Sequence, residues 1–321
     1  MAEQLIYVTR KIPEQFLQTY QNHFRFECWN KEEEPVPREI LLEKAEKADG
    51  LLTMLSDKID QELLDRATRL KVVSNLAVGY DNIEVEEARK RGVAVTNTPD
   101  VLTDTTADLA FALLMATARR LAEATDFVRE DRWRNWSPFL LAGSDIHHKT
   151  IGIVGMGRIG EAIAKRARGF GMKVLYHNRT RKYEAEKTLP AVYREFDQLL
   201  QEADYVVSVL PLTDETADLF DAQAFRLMKE TSIFINVSRG GVVDENALLK
   251  ALKAKEIKAA GLDVFREEPI RSDHPFLALE NCVCLPHIGS ASMETRAQMI
   301  NLCLENLTAV LGGEDPKTPV F

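Results

Sequence analysis

The 321 residues hold no excess of basic charge, no apolar run of membrane length and no C-x-x-C pair, and each absence removes a class of protein. With 41 Lys+Arg against 50 Asp+Glu the formal charge is −9, the wrong sign for a chain that lives on a polyanion, so nucleic-acid binding is not expected. The most apolar stretch, Leu109 to Ala118, falls far short of the roughly 20 residues of a membrane span. Arg119 and Arg120 close it, so it reads as a buried helix. In MAEQLIYVTRKIPEQF no basic segment leads into a long apolar one; it reads as a first strand and loop, and the expected location is the cytoplasm. The four cysteines, Cys28, Cys282, Cys284 and Cys303, have no histidine nearby at metal spacing and are expected as reduced thiols in or near the core. His147 and His148 sit side by side on a polar turn without a carboxylate or thiol at ligand spacing, so no metal is expected there. The charged run Lys31 to Glu34, followed by Pro35 and Pro37, reads as an exposed loop without a role.

What the chain does contain is a 45% hydrophobic composition, ordinary for well-filled cores, spread over a length that exceeds one usual domain. Short apolar, β-rich runs alternate with amphipathic stretches: Leu5 to Val8, Gly50 to Met54, Lys71 to Leu76 and Val93 to Thr96. A second series begins with TIGIVG at Thr150 and continues through Lys173 to Tyr176, Tyr205 to Leu210, Ser232 to Val237, Ala260 to Val264 and Cys282 to Leu285. The alternation predicts an α/β protein with two doubly wound parallel sheets, Rossmann-like in arrangement. One long helix, roughly Thr103 to Glu130, is expected to connect them, since no Gly or Pro interrupts its apolar period. A last helix, Met293 to Leu311, ends at Gly312-Gly313 and is expected to return to the first domain.

The most specific local signal is Gly155-Met156-Gly157-Arg158-Ile159-Gly160, with the strand TIGIV before it and the helical pattern EAIAKRARGF after it. That context gives a G-x-G-x-x-G its meaning as a dinucleotide fingerprint. Gly155 permits the tight turn, Gly157 lets amides approach a pyrophosphate, and Gly160 lets helix pack on strand. The anion then rests at a helix N-terminus. An NAD site of this kind places Asp or Glu about 20 residues on, to take the ribose hydroxyls. Here the stretch reads Tyr176-His177-Asn178-Arg179-Thr180-Arg181, with no acid before Glu184. Arg179 and Arg181 can grip a 2′-phosphate with charge-assisted hydrogen bonds, which predicts NADP(H) over NAD(H). The bland alternative is that these arginines decorate a surface turn.

Three later segments follow strands of the second series and therefore fall at the C-terminal edge of its sheet, where open α/β sheets bind ligands. They are Asn236-Val237-Ser238-Arg239-Gly240-Gly241, Gly261 to Pro269 (GLDVFREEP), and Leu285-Pro286-His287-Ile288-Gly289-Ser290. Singly, each has a plain reading: an arginine closing a turn, a glutamate before a proline, a histidine after a strand. As a set, with Val78-Gly79-Tyr80-Asp81-Asn82 and Thr106-Ala107-Asp108-Leu109-Ala110, they resemble the D-isomer-specific 2-hydroxyacid dehydrogenase family over nearly the whole chain. The similarity is greatest to its glyoxylate/hydroxypyruvate and 2-ketogluconate reductase branch.

That resemblance implies hydride transfer between nicotinamide and a small 2-oxo acid. Arg239 would bind the substrate, His287 would donate and accept the proton, and Glu268 would be its acidic partner. Asp263 would sit by the nicotinamide amide. Thr106, Arg158, Ile159, Thr180, Leu210, Pro211, Thr216, Val237, Ser238 and Gly289 would join the fingerprint glycines, Asn178 and Arg179 around the dinucleotide. Leu55 and the amides of Val78 and Gly79 would meet the substrate carboxylate. A discontinuous substrate domain, 1–99 with 290–321, would accompany a nucleotide domain, 100–289, in a homodimer held largely by the long helix. Trp133 and Trp136 would pack the dimer or reach the substrate. The departure from NAD-using members lies at Asn178-Arg179. The rival reading of another class is a dinucleotide-sensing binding protein of the corepressor type, which keeps similar site residues. A nearer rival is an NAD enzyme for D-lactate or phosphoglycerate, which the Asn178-Arg179 pair argues against.

Overall fold

The computed structural model describes residues 3–321, so the first two residues of the segment 1–99 lie outside the description. Two units are present. One comprises the residues through Leu102 together with Ser292–Phe321, the other Thr103–Ala291.

The first unit is built on a parallel sheet of five strands, β1 (Leu5–Val8), β2 (Arg25–Cys28), β3 (Gly50–Thr53), β4 (Val72–Asn75) and β5 (Ala94–Thr96), in the order β2-β1-β3-β4-β5. Its inner strands β1, β3 and β4 are buried at every residue, as expected of a sheet covered on both faces. Tyr7, Leu51, Val73 and Val95 share one core layer. On the opposite face Gly50 leaves room for Leu307 and Leu311 of the helix Met293–Gly312. That helix starts on a Ser292 cap, whose hydroxyl accepts the Thr295 N–H at 3.2 Å. It ends in a Schellman arrangement, with Gly313 at φ 86°, Gly313 N–H bonded to Val310 O at 3.1 Å and Glu314 N–H to Ala309 O at 2.8 Å.

The second unit carries seven parallel strands: β6 (Thr150–Val154), β7 (Lys173–His177), β8 (Val192–Tyr193), β9 (Tyr205–Ser208), β10 (Ile233–Asn236), β11 (Ala259–Leu262) and β12 (Cys282–Cys284). Their order is β12-β11-β10-β9-β6-β7-β8. The chain winds outward in both directions from the β6/β9 pair, so the topological switch point of this sheet lies beside the fingerprint turn. Alternate residues feed two cores. Ile151, Ile153, Val174 and Ile235 pack under the helices Thr103–Ala118 and Arg158–Gly169. Val154, Leu175, Val206 and Phe234 pack against Leu199, Phe225 and Leu248.

The single helix expected over roughly Thr103 to Glu130 is two, Thr103–Ala118 and Leu121–Arg129. Arg120 turns left-handed at φ 53°. The cause lies in a returning segment. The Ser144 N–H bonds the Ala118 carbonyl at 2.8 Å, taking the acceptor that residue 122 would need to continue the helix. Gly143 passes so close that a Cβ there would lie 2.2 Å from the same oxygen. The apolar run within Leu109 to Ala118 is largely covered by its own unit, with Leu113 and Thr117 lying on Gly261 of β11. Among the described residues no helix is long and apolar enough to cross a membrane, and no cluster of three or more His, Cys, Asp or Glu is placed to hold a metal. The cysteines are free, but Cys28 is exposed, against the expectation of a place in or near the core; Cys303 is buried, and Cys282 and Cys284 are half-buried. Cys28 ends β2, an edge strand that is exposed at both ends.

Candidate active site

The fingerprint turn leaves β6 through Gly155, whose φ of 105° is left-handed and whose missing side chain lets the turn pass the end of β9; a Cβ would meet Val209 O at 2.5 Å. Gly160, inside the next helix, stands against Gly155 O. Around Gly157, by contrast, nothing lies within 4 Å of where a Cβ would be, and no side chain caps the helix that begins at Arg158. The turn is thus crowded where helix meets strand and open around Gly157, where an anion would approach the helix N-terminus, which fits a dinucleotide pyrophosphate.

At the end of β7 the Asn178 side chain faces back into this turn. Its Oδ1 accepts the Met156 N–H at 3.1 Å and its Nδ2 donates to Thr180 O at 3.1 Å. Arg179 extends into solvent and pairs with Glu215 at 3.0 Å. The structure does not leave Arg181 equally available. Its guanidinium makes a two-point bond to Glu186, at 2.6 and 2.9 Å, and lies over the Tyr183 ring. After β9, Leu210 and Pro211 enter a turn closed by Thr216, whose hydroxyl donates to Pro211 O at 2.7 Å.

The three chemical segments are tied to one another through Asp263, which follows β11 and is buried. Its N–H donates to Asn236 O at 3.0 Å, its carbonyl accepts the His287 N–H at 2.8 Å, and its Oδ1 accepts the Ile288 N–H at 2.8 Å. Burial pushes its carboxyl up from the ordinary range. Gly289 passes beside Asp263 Oδ2 and Thr106. The turn after β10 is pinned by Asn236, whose Nδ2 donates to Arg239 O at 3.0 Å and whose Oδ1 accepts from the Ser238 hydroxyl at 2.7 Å. Val237 and Ser238 are buried there, while Arg239 is half-buried and donates from Nη1 to Ser238 O.

His287 and Glu268 meet at 2.7 Å, Nδ1 to Oε2, with side chains 29% and 33% exposed. The other carboxylate oxygen of Glu268 accepts the Phe265 N–H at 2.9 Å. Burial acts to raise the Glu268 carboxyl, but the hydrogen bond and charge of His287, the Phe265 N–H and the charge of Arg239 together hold it below the usual carboxylate range. A carboxylate accepting at Nδ1 fixes that nitrogen as the N–H and leaves Nε2 as the ring nitrogen with a lone pair. His287 itself sits at φ 54°, a left-handed backbone uncommon for a side chain of its size.

The family model for the D-isomer specific 2-hydroxyacid dehydrogenase NAD binding domain matches residues 111–289, the span holding the fingerprint, the first two segments and the third as far as Gly289. The chain belongs to the D-isomer-specific 2-hydroxyacid dehydrogenase family. Glyoxylate reductase of Thermococcus kodakarensis is 52% identical over 319 residues, covering 98% of this chain and 95% of that one. The glyoxylate reductase of Korarchaeum cryptofilum is 50% identical over 312 residues, 97% of this chain and 94% of its own. Among solved structures, a protein of Thermus thermophilus superposes with a TM-score of 0.93 at 44% identity, covering 99% of this chain and 100% of the other. An NADPH-dependent glyoxylate/hydroxypyruvate reductase from Sinorhizobium meliloti, in complex with NADP and malonate, gives 0.85 at 33% identity over 99% and 97%.

In this dehydrogenase the second unit brings together Arg239, Glu268, His287, Asp263, Thr106 and Gly289, whereas Leu55, Val78 and Gly79 belong to the first. Two residues that shape the turn after β10 had no role assigned from sequence. Asn236 holds the Arg239 turn from both sides. Gly240 runs against the Glu268 loop, where a Cβ would lie 1.8 Å from Phe265 C. An asparagine at a strand end followed by a glycine pair was the available signal for both.

Proposed function

We propose that this chain reduces small 2-oxo acids, glyoxylate and hydroxypyruvate foremost and 2-ketogluconate as a further candidate, to D-2-hydroxy acids with NADPH preferred over NADH. The observation that carries the reading is the His287–Glu268 pair at 2.7 Å on a sheet edge that also holds a dinucleotide fingerprint. The names of relatives about half identical over nearly the full chain support the substrate class. The turn Gly155–Gly160, Asn178, Arg179 and Thr180, and the loops carrying Leu210, Pro211, Thr216, Val237, Ser238, Asp263, Gly289 and Thr106 would hold the dinucleotide, which would supply the hydride when bound.

The side chains then have separate tasks. As hydride reaches the 2-oxo carbon, the carbonyl oxygen moves toward alkoxide, and a proton delivered in the same step is worth about 10²–10⁴ in rate. His287 Nε2 is the donor assigned to that proton, and Glu268 holds the ring. Arg239 offers a planar guanidinium that engages the substrate carboxylate at two points and polarises the adjacent carbonyl. Leu55 and the amides of Val78 and Gly79 complete the substrate contacts, which assigns 1–99 with 290–321 to the substrate and 100–289 to the nucleotide. For the NADPH preference, Arg179 supplies positive charge at the end of β7, where Asn178 stands in place of the acid that takes the ribose hydroxyls, and a 2′-phosphate would compete with Glu215 for that guanidinium.

The chain is further assigned to the cytoplasm as a homodimer, without nucleic-acid partners. Its support for a dimer is the exposed apolar segment beyond the helix break, where Trp133, Trp136, Phe139 and Leu140 are all exposed. Light scattering at micromolar concentration tests it against the chain mass of 36.3 kDa, and a clean monomer refutes it. The activity is tested by a spectrophotometric panel of glyoxylate, hydroxypyruvate, pyruvate and 2-ketogluconate with NADPH and with NADH. No turnover of any member sinks the enzyme reading.

A further inference from the structure

In the first unit, three consecutive peptide carbonyls of the loop after β4 are tied down. Thr98 N–H donates to Ala77 O at 2.8 Å, Asn97 Nδ2 to Val78 O at 2.8 Å, and Asn75 Nδ2 to Gly79 O at 2.9 Å. A trans peptide points its C=O and the following N–H in opposite directions. Anchoring these carbonyls therefore aims the N–H groups of Val78, Gly79 and Tyr80 away from their anchors. None of the three amides donates to a protein acceptor among the described residues. Successive free amides held in a turn attract anions.

The anchors are themselves braced. Asn75 is fully buried and its Oδ1 accepts the Thr53 hydroxyl at 3.0 Å. Asn97 is buried, and its carbonyl accepts the Thr318 hydroxyl at 2.7 Å; Asn306 in turn donates to that hydroxyl and accepts the Thr318 N–H. Asn82 carries the bracing to the neighbouring loop, donating from Nδ2 to Met54 O at 3.2 Å and to Asp57 O at 2.9 Å, on either side of Leu55. Buried amide side chains make these bonds with definite geometry because leaving such donors unpaired is costly.

We propose that Asn75 and Asn97 are positioning residues that set a three-amide cradle, with Tyr80 N–H as its third donor, for the carboxylate of the 2-oxo acid. The assignment of the carboxylate rests on the function proposed above. It explains how backbone dipoles of this loop can hold an anion: the asparagines fix the direction of the three N–H groups. Asn97→Ala frees the Val78 carbonyl and lets the 78–79 peptide rotate. The expected result is a roughly tenfold rise in KM for glyoxylate, with kcat at saturating glyoxylate and the KM for the reduced dinucleotide within about twofold of wild type. Asn75→Ala is expected to do the same through the Gly79 carbonyl.

The test pairs these kinetics with amide NMR of the full-length protein, titrated with glyoxylate while saturating oxidised dinucleotide is present. The Val78, Gly79 and Tyr80 amides of wild type are expected to shift and saturate together, and half-saturation in Asn97→Ala to rise by the same factor as KM. Turnover without movement of these three amides overturns the cradle, as does a folded Asn97→Ala or Asn75→Ala variant with wild-type KM. A variant that loses kcat and heat stability with KM unchanged shows asparagines that serve folding alone, which also overturns it. Saturating shifts without turnover leave the cradle standing and remove the proposed activity; neither shift nor turnover removes both.

Discussion

Replacing Glu268 by glutamine changes one atom of the site and two of its hydrogen bonds. The carboxylate accepts on both oxygens, from Phe265 N–H at 2.9 Å and from His287 at 2.7 Å. An amide has a single oxygen, so Glu268→Gln satisfies one donor and turns an NH₂ toward the other. If the amide oxygen stays with Phe265, its NH₂ donates to His287 Nδ1, and the imidazole proton moves to Nε2 without charge support from a neighbour. If the oxygen turns to His287, the loop loses the bond that closes it. Hydrogen bonds involving a charged group are worth about 1.5–3 kcal/mol, which converts to roughly tenfold to 150-fold in rate when the bond is needed in the transition state. With side chains about one-third exposed, the lower half of that range is expected, a loss of about ten- to fortyfold. The assay is steady-state oxidation of the reduced dinucleotide with glyoxylate, kcat and both KM values measured from pH 5 to 9. The expected outcome is a fall in kcat with the dinucleotide KM little changed. A kcat within twofold of wild type across that range would refute the argument that the carboxylate holds the catalytic ring.

Other outcomes follow from the same geometry. Because the fold depresses the Glu268 carboxyl, the charged form contributes stability that is present above its unfolded pKa and lost as pH falls through the lower folded value. Wild-type activity should thus decline on the acid side by loss of the His287–Glu268 lock only below the ordinary glutamate range, a limb that Glu268→Gln lacks. His287→Ala should lower kcat at least hundredfold while the dinucleotide binds nearly as before by fluorescence titration; Arg239→Ala should also raise KM for the 2-oxo acid. Arg179→Ala should weaken NADPH about tenfold and leave NADH nearly unchanged, the low end of a charge-assisted bond because this side chain is so exposed, and the loss should shrink as salt rises. Equal weakening of both cofactors would make the arginine surface decoration. Gly240→Ala must move the Glu268 loop to relieve a 1.8 Å overlap with Phe265, so soluble protein with wild-type kcat would contradict the packing.

The fold was legible in the sequence wherever burial was complete. Strands such as β3, β4, β9 and β10, buried at every residue, announce themselves as apolar β-rich runs. The two strands that escaped notice, β2 with sequence RFEC and β8 with only Val192 and Tyr193, are both sheet edges, half-exposed and charged or short, so the apolar period that marks a strand is missing. The helix break at Arg120 was equally silent, since its cause, the Ser144 amide at the Ala118 carbonyl, is 24 residues away in the chain. At the site, Arg239, Glu268 and His287 were reached through motifs that the family resemblance marks, and the fold sets Glu268 against His287. Asn75, Asn97 and Asn236 could not be reached from sequence, because an amide's role lies in which carbonyl it reaches, and that depends on the folded backbone.

The left-handed backbone of His287 has an implication for how this activity can be lost. Holding a side chain of L configuration there costs about 1–2 kcal/mol, and glycine or asparagine at that position escapes most of the cost. The partly exposed bond to Glu268 returns no more than a comparable amount. The backbone cost thus offsets much of what the histidine's bond contributes to folding. A search for heat-resistant variants of this protein, run without an activity screen, is expected to enrich His287→Gly or His287→Asn, chains that hold their shape and their dinucleotide and perform no chemistry. On the role proposed for His287, retention of the histidine reflects selection for proton transfer.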